Sequence, residues 1–569
     1  MEWRDAAVSE RTVSHFAKEL GIPRLIAQLV ARLDIEEIED AKAFLYPRLK
    51  HLDDPFNLSQ LEDAVTRIRQ AMAGKERIVI IGDYDVDGVT STTLLVHSLN
   101  TFGIFPDYTV PLRLEEGYGL SRAVIDRALN GKPAGLVISV DCGTNSVDEI
   151  RHIKSKGADV IIIDHHRSTC EEPIPAILVN PHVNDGDHEP WKNLCSVGLV
   201  FKLVHGLVKS LRNDGDSTAF KIQLKDYLDL VAMGTVADLV PLLGENRILA
   251  HRGLKMLEST RREGLHALYQ VAGMQSGNPV TSTDISFKLA PRINASGRLA
   301  DAELTVKMLL NRNSSQCLEM AKELDSMNCE RQDIERSIVE EADEYIETHL
   351  QGAHGFVLHN PNWHSGVVGI VAGQVSRKHN VPTIVLGEDR GFAKGSGRSI
   401  PGVNLVEVLS ECSDLLESWG GHPMATGVSL EESNVDAFQK AFNEAVKRAL
   451  EGDALEPELE IAAYIKAEDI CQNFMDTMDT LHPFGQGNPE PVFGIKSISL
   501  GQPPNTFGSD HYRFCLRPNP GVYLLGVAWK KADNLPPSDQ LIDLAVKVNW
   551  NHFNGRRSLQ LELLDWKLS

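Results

Sequence analysis

Three short apolar runs, at 77–82 (RIVIIG), 136–140 (LVISV) and 159–163 (DVIII), do most to limit what this chain can fold into. None is long enough for a helix, and none alternates apolar with polar residues as a half-exposed strand would. Strands buried on both faces and separated by helical stretches, such as Thr90 to Leu99, build a parallel sheet covered by helices. All three runs end in acids. The first enters Asp83-Tyr84-Asp85-Val86-Asp87-Gly88, the second Asp141-Cys142-Gly143 and the third Asp164-His165-His166. A later helical run, Gly234-Thr235-Val236-Ala237-Asp238-Leu239, closes on one more. Ligands of an open parallel sheet bind outside the carboxyl ends of its strands. If these ends converge, six carboxylates and two imidazoles share one crevice.

Packed carboxylates repel one another unless a cation neutralises them. Oxygen-rich sets with one or two His suit Mg²⁺ or Mn²⁺, whereas zinc prefers Cys and more His. A set this large can hold two ions, and two metals about 3.5–4 Å apart can clamp the attacking and leaving oxygens of a phosphoryl transfer. Taken singly, the motifs have plainer readings. Asp83, Asp85 and Asp87 match the start of a calcium loop, but its twelfth position, normally Glu, is Leu94. Asp164-His165-His166 alone could be a surface turn, and Asp141 or Asp238 alone a helix cap. A shared site explains all four at once.

The 569 residues are enough for several domains. Residues 1–55 read as short helices, and 56–301 as the parallel-sheet unit. Residues 302–350 hold a long amphipathic connector helix, with Ile334, Ile338, Ala342 and Tyr345 on its apolar stripe and acids on its solvated face. A second α/β unit spans 351–451, with strands at 355–358 and 382–386 and helices over 366–379 and 432–451. Residues 452–457 read as a linker. In 457–569 six strand-like runs separated by Pro, Gly and Asn predict a small β-barrel of the OB type. The expected fold class is therefore α/β: two such units joined by a long helix, with a C-terminal β-barrel.

The net charge of −22, from 79 acids against 57 bases, argues mildly against a nucleic-acid partner, since phosphates attract Lys and Arg. Acids gathered on a cation site reverse the local sign, however, and bases gathered in one groove escape a whole-chain sum. Eight Cys without a CxxC pair argue against a zinc site and fit free thiols in a reducing compartment. No run of 18 apolar residues occurs, so no membrane-spanning helix is expected. The charged start Met1-Glu2-Trp3-Arg4-Asp5 lacks the apolar core of a signal peptide. A cytoplasmic protein without a membrane partner is expected. No GxxxxGK[ST] occurs, so ATP hydrolysis is not indicated.

Together the Asp83–Gly88 run, the Asp141 strand end, Asp164-His165-His166 and the run to Asp238 resemble the four motifs of the DHH phosphoesterase superfamily. Pro291-Arg292-Ile293-Asn294-Ala295-Ser296-Gly297-Arg298 resembles a further motif of its branch of single-strand-specific 5′→3′ DNA exonucleases. Trp419-Gly420-Gly421-His422-Pro423 resembles the GGH motif of the DHH-associated domain. The resemblance spans nearly the whole chain. It implies that Asp85 and Asp141 hold one Mn²⁺ or Mg²⁺ ion, and that Asp87, Asp141, His165 and Asp238 hold a second, Asp141 bridging. Many members carry a His four residues before the first ligand Asp, where this chain has Ile81, so Asp83 is expected to help through water. Asp164 and His166 are expected beside the metals, serving the reaction from there.

The resemblance also implies a pocket for a 5′ phosphate made by Arg113, Ser396 and Arg398, with Tyr118, Arg292, Asn294 and Arg298 on the strand and His422 near a phosphate. Arg suits bidentate phosphate contact. Taken alone, Lys394-Gly395-Ser396-Gly397-Arg398-Ser399 reads as a Gly-rich turn, as easily a plain surface turn as a phosphate grip, and His422 as easily a buried structural histidine. Trp529-Lys530-Lys531 and the run 550–557 set aromatics beside bases, which suits stacking on a single strand but also fits a core Trp with hairpin charges. The expected function is metal-dependent exonuclease action on single-stranded DNA in repair and recombination, with polarity drawn only from the resemblance. Single-stranded-DNA-binding protein and a helicase are candidate partners. Two rival readings are a phosphodiesterase of small nucleotides or very short RNA, and a non-catalytic DNA-binding scaffold. The long groove implied by the added barrel disfavours the first. The complete acid set disfavours the second.

Overall fold

The strand Ile78–Gly82 lies second from the edge of a five-stranded, all-parallel sheet, flanked by Asp107–Thr109 on one side and by Leu136–Val140, Asp159–Ile163 and Ile177–Val179 on the other. This is a computed structural model, and it describes residues 2–117, 119–170, 172–389, 391–450, 458–519, 522–553 and 556–569. Every residue of Ile78–Gly82 and Leu136–Val140 is buried. Ile78, Ile80 and Ile138 enter a large core with the helices Leu61–Gly74, Val86–Thr101 and Ser196–Asn213, while Val79, Ile81 and Val137 pack on the helices Arg122–Leu129 and Val147–Ser155. Cover on both faces is why the runs do not alternate.

Helix Val86–Thr101 is buried nearly all round, hydroxyls included. Thr90, Thr92 and Thr93 donate to the carbonyls of Val86, Gly88 and Val89 at 2.7–2.8 Å, which lets them sit in an apolar core.

The connector is the 36-residue helix Ser314–His349. Its buried stripe runs Cys317, Ala321, Leu324, Asn328, Arg331, Glu335, Ile338, Ala342 and Ile346. Tyr345, expected on that stripe, is 41% exposed, because spacing from Ala342 carries the stripe to Ile346. Cys317, Ala321 and Leu324 belong to the core of the first unit, and Ile338, Ala342 and Ile346 to that of the second.

The second unit is a mixed sheet in the order Ser418–His422, Ala425–Glu431, Phe392–Arg398, Thr383–Asp389, Phe356–His359, parallel only between the last two. Residues 392–398, read as a turn from their glycines, form its central strand. A Cβ on Gly395 would lie 1.8 Å from the Val385 carbonyl oxygen and one on Gly397 2.6 Å from Thr426 Oγ1, so these glycines serve close approach within the sheet.

The proposed linker, 452–457, lies outside the described residues. The C-terminal unit is a seven-stranded sheet in the order Ala463–Tyr464, Phe493–Ile498, Ile542–Phe553, Arg556–Leu568, Leu524–Ala528, His511–Leu516, Asn505–Phe507. Among the described residues its two edge strands do not pair, so it is an open sheet and not the closed barrel expected. Phe493, Tyr512, Ile542 and Leu561 on its apolar face are covered instead by Val13, Phe16, Ile26 and Val30 of the N-terminal helices, in a single core. The N-terminal strand Glu2–Asp5 also pairs, in parallel, with Glu458–Ile461.

Candidate metal centre

Strand order decides where the site falls. The chain winds to opposite sides from Ile78–Gly82, so a crevice opens at the carboxyl ends of this strand and Leu136–Val140. Asp83 and Asp141 follow those two strands directly. Asp85 caps helix Val86–Thr101 by accepting the Gly88 N–H at 3.1 Å, which places Asp87 in its first turn. Gly88 lets the loop close, since a Cβ there would lie 2.4 Å from the Asp83 carbonyl oxygen. The Asp87 carboxylate accepts the N–H groups of Ser196 (2.7 Å) and Val197 (2.8 Å), at the positive end of helix Ser196–Asn213. The Ser196 hydroxyl donates to Asp141 Oδ1 at 2.8 Å. Asp141 is held at φ 65°, a left-handed conformation rare for any residue but glycine.

His165 Nε2 lies 3.5 Å from Asp141 Oδ1, 3.5 Å from Asp238 Oδ2 and 3.9 Å from Asp87 Oδ2. Asp164 is spent on protein donors: the N–H groups of Thr144 (3.0 Å) and His165 (2.8 Å), and Nδ1 of His166 (2.7 Å). That bond puts the His166 proton on Nδ1. Asn180 braces the turn by donating to Thr144 Oγ1 and to the His166 carbonyl.

Ligating atoms of Asp83, Asp85 and Asp141 lie within 4.8 Å of one another; so do those of Asp87, His165 and Asp238, and those of Asp141, His165 and His166. Bonds of about 2.1 Å set opposite ligands about 4 Å apart, so each group has room for a small divalent cation. Asp83 stands directly in the first group rather than only near it. Burial, and then the neighbouring Asp85, pushes Asp87 up to about 7; burial, and then Asp87, pushes Asp238 up to about 9. Asp83 and Asp141 are raised well above the usual carboxylate range, first by burial and then by neighbouring acids. Burial works against His165, lowering it to about 4. Burial opposes the charge on His166 too, yet Asp164 outweighs it and holds this ring up at about 9. Asp164, despite its burial, is held well below the usual range by His166 and Thr144. Acids in this state cannot all ionise without a counter-charge.

The residues fit such a counter-charge. Asp83 Oδ1, His165 Nε2 and Asp238 Oδ2 are buried without a hydrogen-bond partner among the described residues, and each such atom costs about 1–3 kcal/mol or more if left so. Cations in the crevice would satisfy all three, and an oxygen-rich donor set with imidazole suits Mn²⁺ or Mg²⁺.

Beside the acids lies a basic cleft of about 290 Å³, lined by Leu239, Phe287, Asn294, Arg298, Arg331 and Ile370 among others. The Arg113 guanidinium stands 5.1 Å from the Tyr84 ring centre. Arg298 donates to the Gly366 carbonyl at 2.9 Å, and burial, then the charge of Arg113, lowers it to about 10. Ser396 and Arg398 lie against Gly369, where a Cβ would stand 3.2 Å from Ser396 Oγ and 3.5 Å from Arg398 Nη2. Asn294 Oδ1 is buried without a partner among the described residues.

Of the other expected residues, one is engaged with protein partners, one is exposed and one lies outside the described residues. Arg292 uses its guanidinium on Asp325 (2.8 Å) and the Lys288 and Val271 carbonyls, bracing its helix. His422 is exposed at the end of an edge strand, not buried, and pairs with Ala425, which pairs in turn with Arg398. Tyr118 lies outside the described residues. Sequence reasoning missed Ser196, Val197, Asn180, Leu239, Phe287 and Arg331. The anion-binding start of a helix at Ser196 was open to it; the pairing of that start with Asp87, 109 residues away, was not.

Sheet, crevice and acid set together define a DHH-family protein: residues 77–235 match the DHH family N-terminal domain, 351–448 the DHHA1 domain and 461–565 the RecJ OB domain. Single-stranded-DNA-specific exonuclease RecJ of Bacillus subtilis is 35% identical over all of this chain and 71% of its own length. The Escherichia coli protein of that name is 36% identical over 89% of each. The crystal structure of RecJ in complex with Mn²⁺ from Thermus thermophilus superposes with a TM-score of 0.82 at 26% identity, over all of this chain and 80% of that one. Its Mg²⁺ complex gives 0.76 at 25%. The chain belongs to the RecJ family. No helix among the described residues is long and apolar enough to cross a membrane.

Proposed function

We propose that this chain is a metal-dependent 5′→3′ exonuclease of single-stranded DNA. The observation that carries the reading is that an acid–imidazole centre stands next to a group of arginines: Tyr84 feels the charges of Asp83 and Asp85 on one side and of Arg113 and Arg298 on the other, and Arg298 in turn feels Arg113 and Arg398. Asp83, Asp85 and Asp141 would hold one Mn²⁺ or Mg²⁺ ion; Asp87, Asp141, His165 and Asp238 would hold the other. When bound, the two ions supply Lewis acidity and lower the cost of deprotonating water. Hydrolysis adds the water oxygen to phosphorus, breaks the bond to the departing sugar oxygen and leaves a proton on that oxygen. Asp164 fixes the His166 ring so that its charge, favoured up to about pH 9, meets the negative charge that grows on the phosphate. Arg113, Ser396 and Arg398 hold the terminal phosphate, which sets polarity. Asn294 and Arg298 hold the next stretch of strand, and exposed Trp529 with Lys530 and Lys531 on the C-terminal sheet attracts the remainder.

The names of the relatives support single-stranded DNA as the substrate, and the metals in the Thermus structures support the cofactors. Repair and recombination in the cytoplasm, beside a single-stranded-DNA-binding protein and a helicase, is the setting proposed; free cysteines suit a reducing compartment. Degradation of 5′- and 3′-labelled single strands with and without Mn²⁺ tests the reading. Loss of the 5′ label first, only with metal, is expected; 3′ loss or metal independence overturns it.

A further inference from the structure

Arg113 stands in a helix of a single turn, Arg113–Glu116, too short to hold itself together in water. It is repelled as well, because Arg298 lies near enough for the two charges to disfavour each other. The turn is kept by its own last residue and by a side chain from outside. Glu116 Oε2 accepts the Leu112 N–H at 2.8 Å and so closes the turn on itself. Arg127, on the helix Arg122–Leu129, grips the same carboxylate: Nε donates to Oε1 and Nη2 to Oε2, both at 2.7 Å. That is the two-bond fork to which a guanidinium is suited. Burial opposes the charge on Glu116, yet Arg127 and the Leu112 N–H outweigh it and hold this acid below its usual range. Arg127 Nη2 also donates to the Val110 carbonyl at 2.8 Å, and Nη1 to the Thr109 hydroxyl. Thr109 donates in turn to Glu303 Oε1 at 2.9 Å, and Arg127 Nη1 stands 3.4 Å from the same oxygen. Glu303 opens the helix Glu303–Leu310, which follows the segment of Arg298. One guanidinium thus ties together the edge strand Asp107–Thr109, the turn that carries Arg113 and the chain just beyond Arg298. None of Arg127, Glu116 and Glu303 belongs to the acid groups of the metal centre.

We propose that Arg127, with Glu116 and Glu303, is a positioning clamp that holds Arg113 beside Arg298 before a strand arrives, and so gives the terminal-phosphate pocket its preference for a phosphorylated 5′ end. This rests on the exonuclease reading above. A turn that the phosphate itself had to order would lose affinity to the entropy of ordering, whereas a turn already fixed does not. The clamp touches no part of the strand and acts through Arg113. An ion pair that served stability alone would leave strands with and without a 5′ phosphate equally affected.

The test uses the full-length protein with Mn²⁺ and matched 5′-phosphorylated and 5′-hydroxyl single strands, reading KM and kcat on each. Arg127→Gln should raise KM on phosphorylated strands about tenfold, the lower end for losing a charged hydrogen bond. Its kcat, and its KM on hydroxyl strands, should stay within about twofold of wild type. Glu116→Gln keeps a carbonyl oxygen for the Leu112 N–H but offers Arg127 no charge, and should raise KM on phosphorylated strands severalfold. In a protein already carrying Arg113→Ala, Arg127→Gln should add less than about twofold, since the clamp acts through the residue removed. Equal rises on both kinds of strand overturn the inference. So do an unchanged KM on phosphorylated strands, a full tenfold added to Arg113→Ala, and a wild type that cuts from the 5′ end but is indifferent to the 5′ phosphate. Should Arg127→Gln fail to fold, Glu116→Gln, alone and with Arg113→Ala, decides by the same readings. Wild type that removes nothing from a 5′ end instead overturns the exonuclease reading itself, a result the variants cannot imitate.

Discussion

Ser196 donates its hydroxyl to Asp141 over 2.8 Å while its backbone N–H holds Asp87, so one residue orients a carboxylate in each half of the acid cluster. Groups that orient metal ligands in this way are worth about 10–100-fold in metal affinity or activity. Ser196→Ala keeps the backbone bond and deletes the hydroxyl. The Mn²⁺ concentration for half-maximal activity should rise by that factor, with saturating rates largely recovered. An unchanged metal titration would show that Asp141 is oriented without it.

Asp141 contributes to both proposed ion sites and, among the acids of the centre, is the one held at positive φ. Asp141→Ala should bring nuclease turnover to background while single-strand binding, followed by fluorescence anisotropy, stays within severalfold of wild type. Substantial activity at saturating Mn²⁺ would refute the shared-ligand arrangement.

Arg398 tests the end pocket. Its replacement by Ala removes a charge-assisted contact worth roughly 1.5–3 kcal/mol, or about tenfold to hundredfold. The loss should appear on 5′-phosphorylated strands and be small on 5′-hydroxyl strands, measured as initial rates on matched oligonucleotides. Equal losses on both would take Arg398 out of the pocket.

Despite a net charge of −22, affinity for single strands should fall steeply with salt, because binding releases counterions from a local basic cleft. Titrations at several salt concentrations read the slope directly. A flat response would mean that the arginines do not meet phosphates.

His97 packs edge-on to Tyr227, and burial, then the charge of Arg262, lowers it from 6.5 to about 4. The sign is that of a buried base. Between pH 6.5 and 4 the unfolded chain binds the proton that the folded chain refuses, so stability falls as pH drops through this window and is unaffected by this group above it. His97→Gln should lose less thermal stability than wild type on going from pH 7 to pH 5. An identical drop in both would assign the acid sensitivity elsewhere.

The parallel sheet was legible because helices on both faces demand unbroken apolar strands, and its acids announced themselves by ending those strands. Gly395 and Gly397 misled because a glycine needed for close strand approach looks, in sequence, like one needed for a turn. Asp83, Asp85, Asp87, Asp141, His165 and Asp238 could be nominated from motifs. The amides of Ser196 and Val197 could not be joined to Asp87, since that bond exists only after two helices pack. Arg331 hid for the opposite reason: on a helix rich in charge, one more arginine reads as solvated surface until the seam of the helix is known. Closure of the C-terminal barrel was overcalled because strand count cannot reveal that a distant segment covers the apolar face.

That distant segment fixes an order of events. Helices Glu10–Leu20, Arg24–Ala31 and Ile38–Leu45 leave the ribosome well before the residues whose surface they cover, such as Phe493 and Ile542. At about 5–20 residues per second, translation keeps them waiting on the order of half a minute or more with Phe16, Ile26 and Val30 without the sheet that covers them. Both α/β units can finish folding in that interval. These early helices therefore find their final cover late, and until then their apolar faces are open to a chaperone.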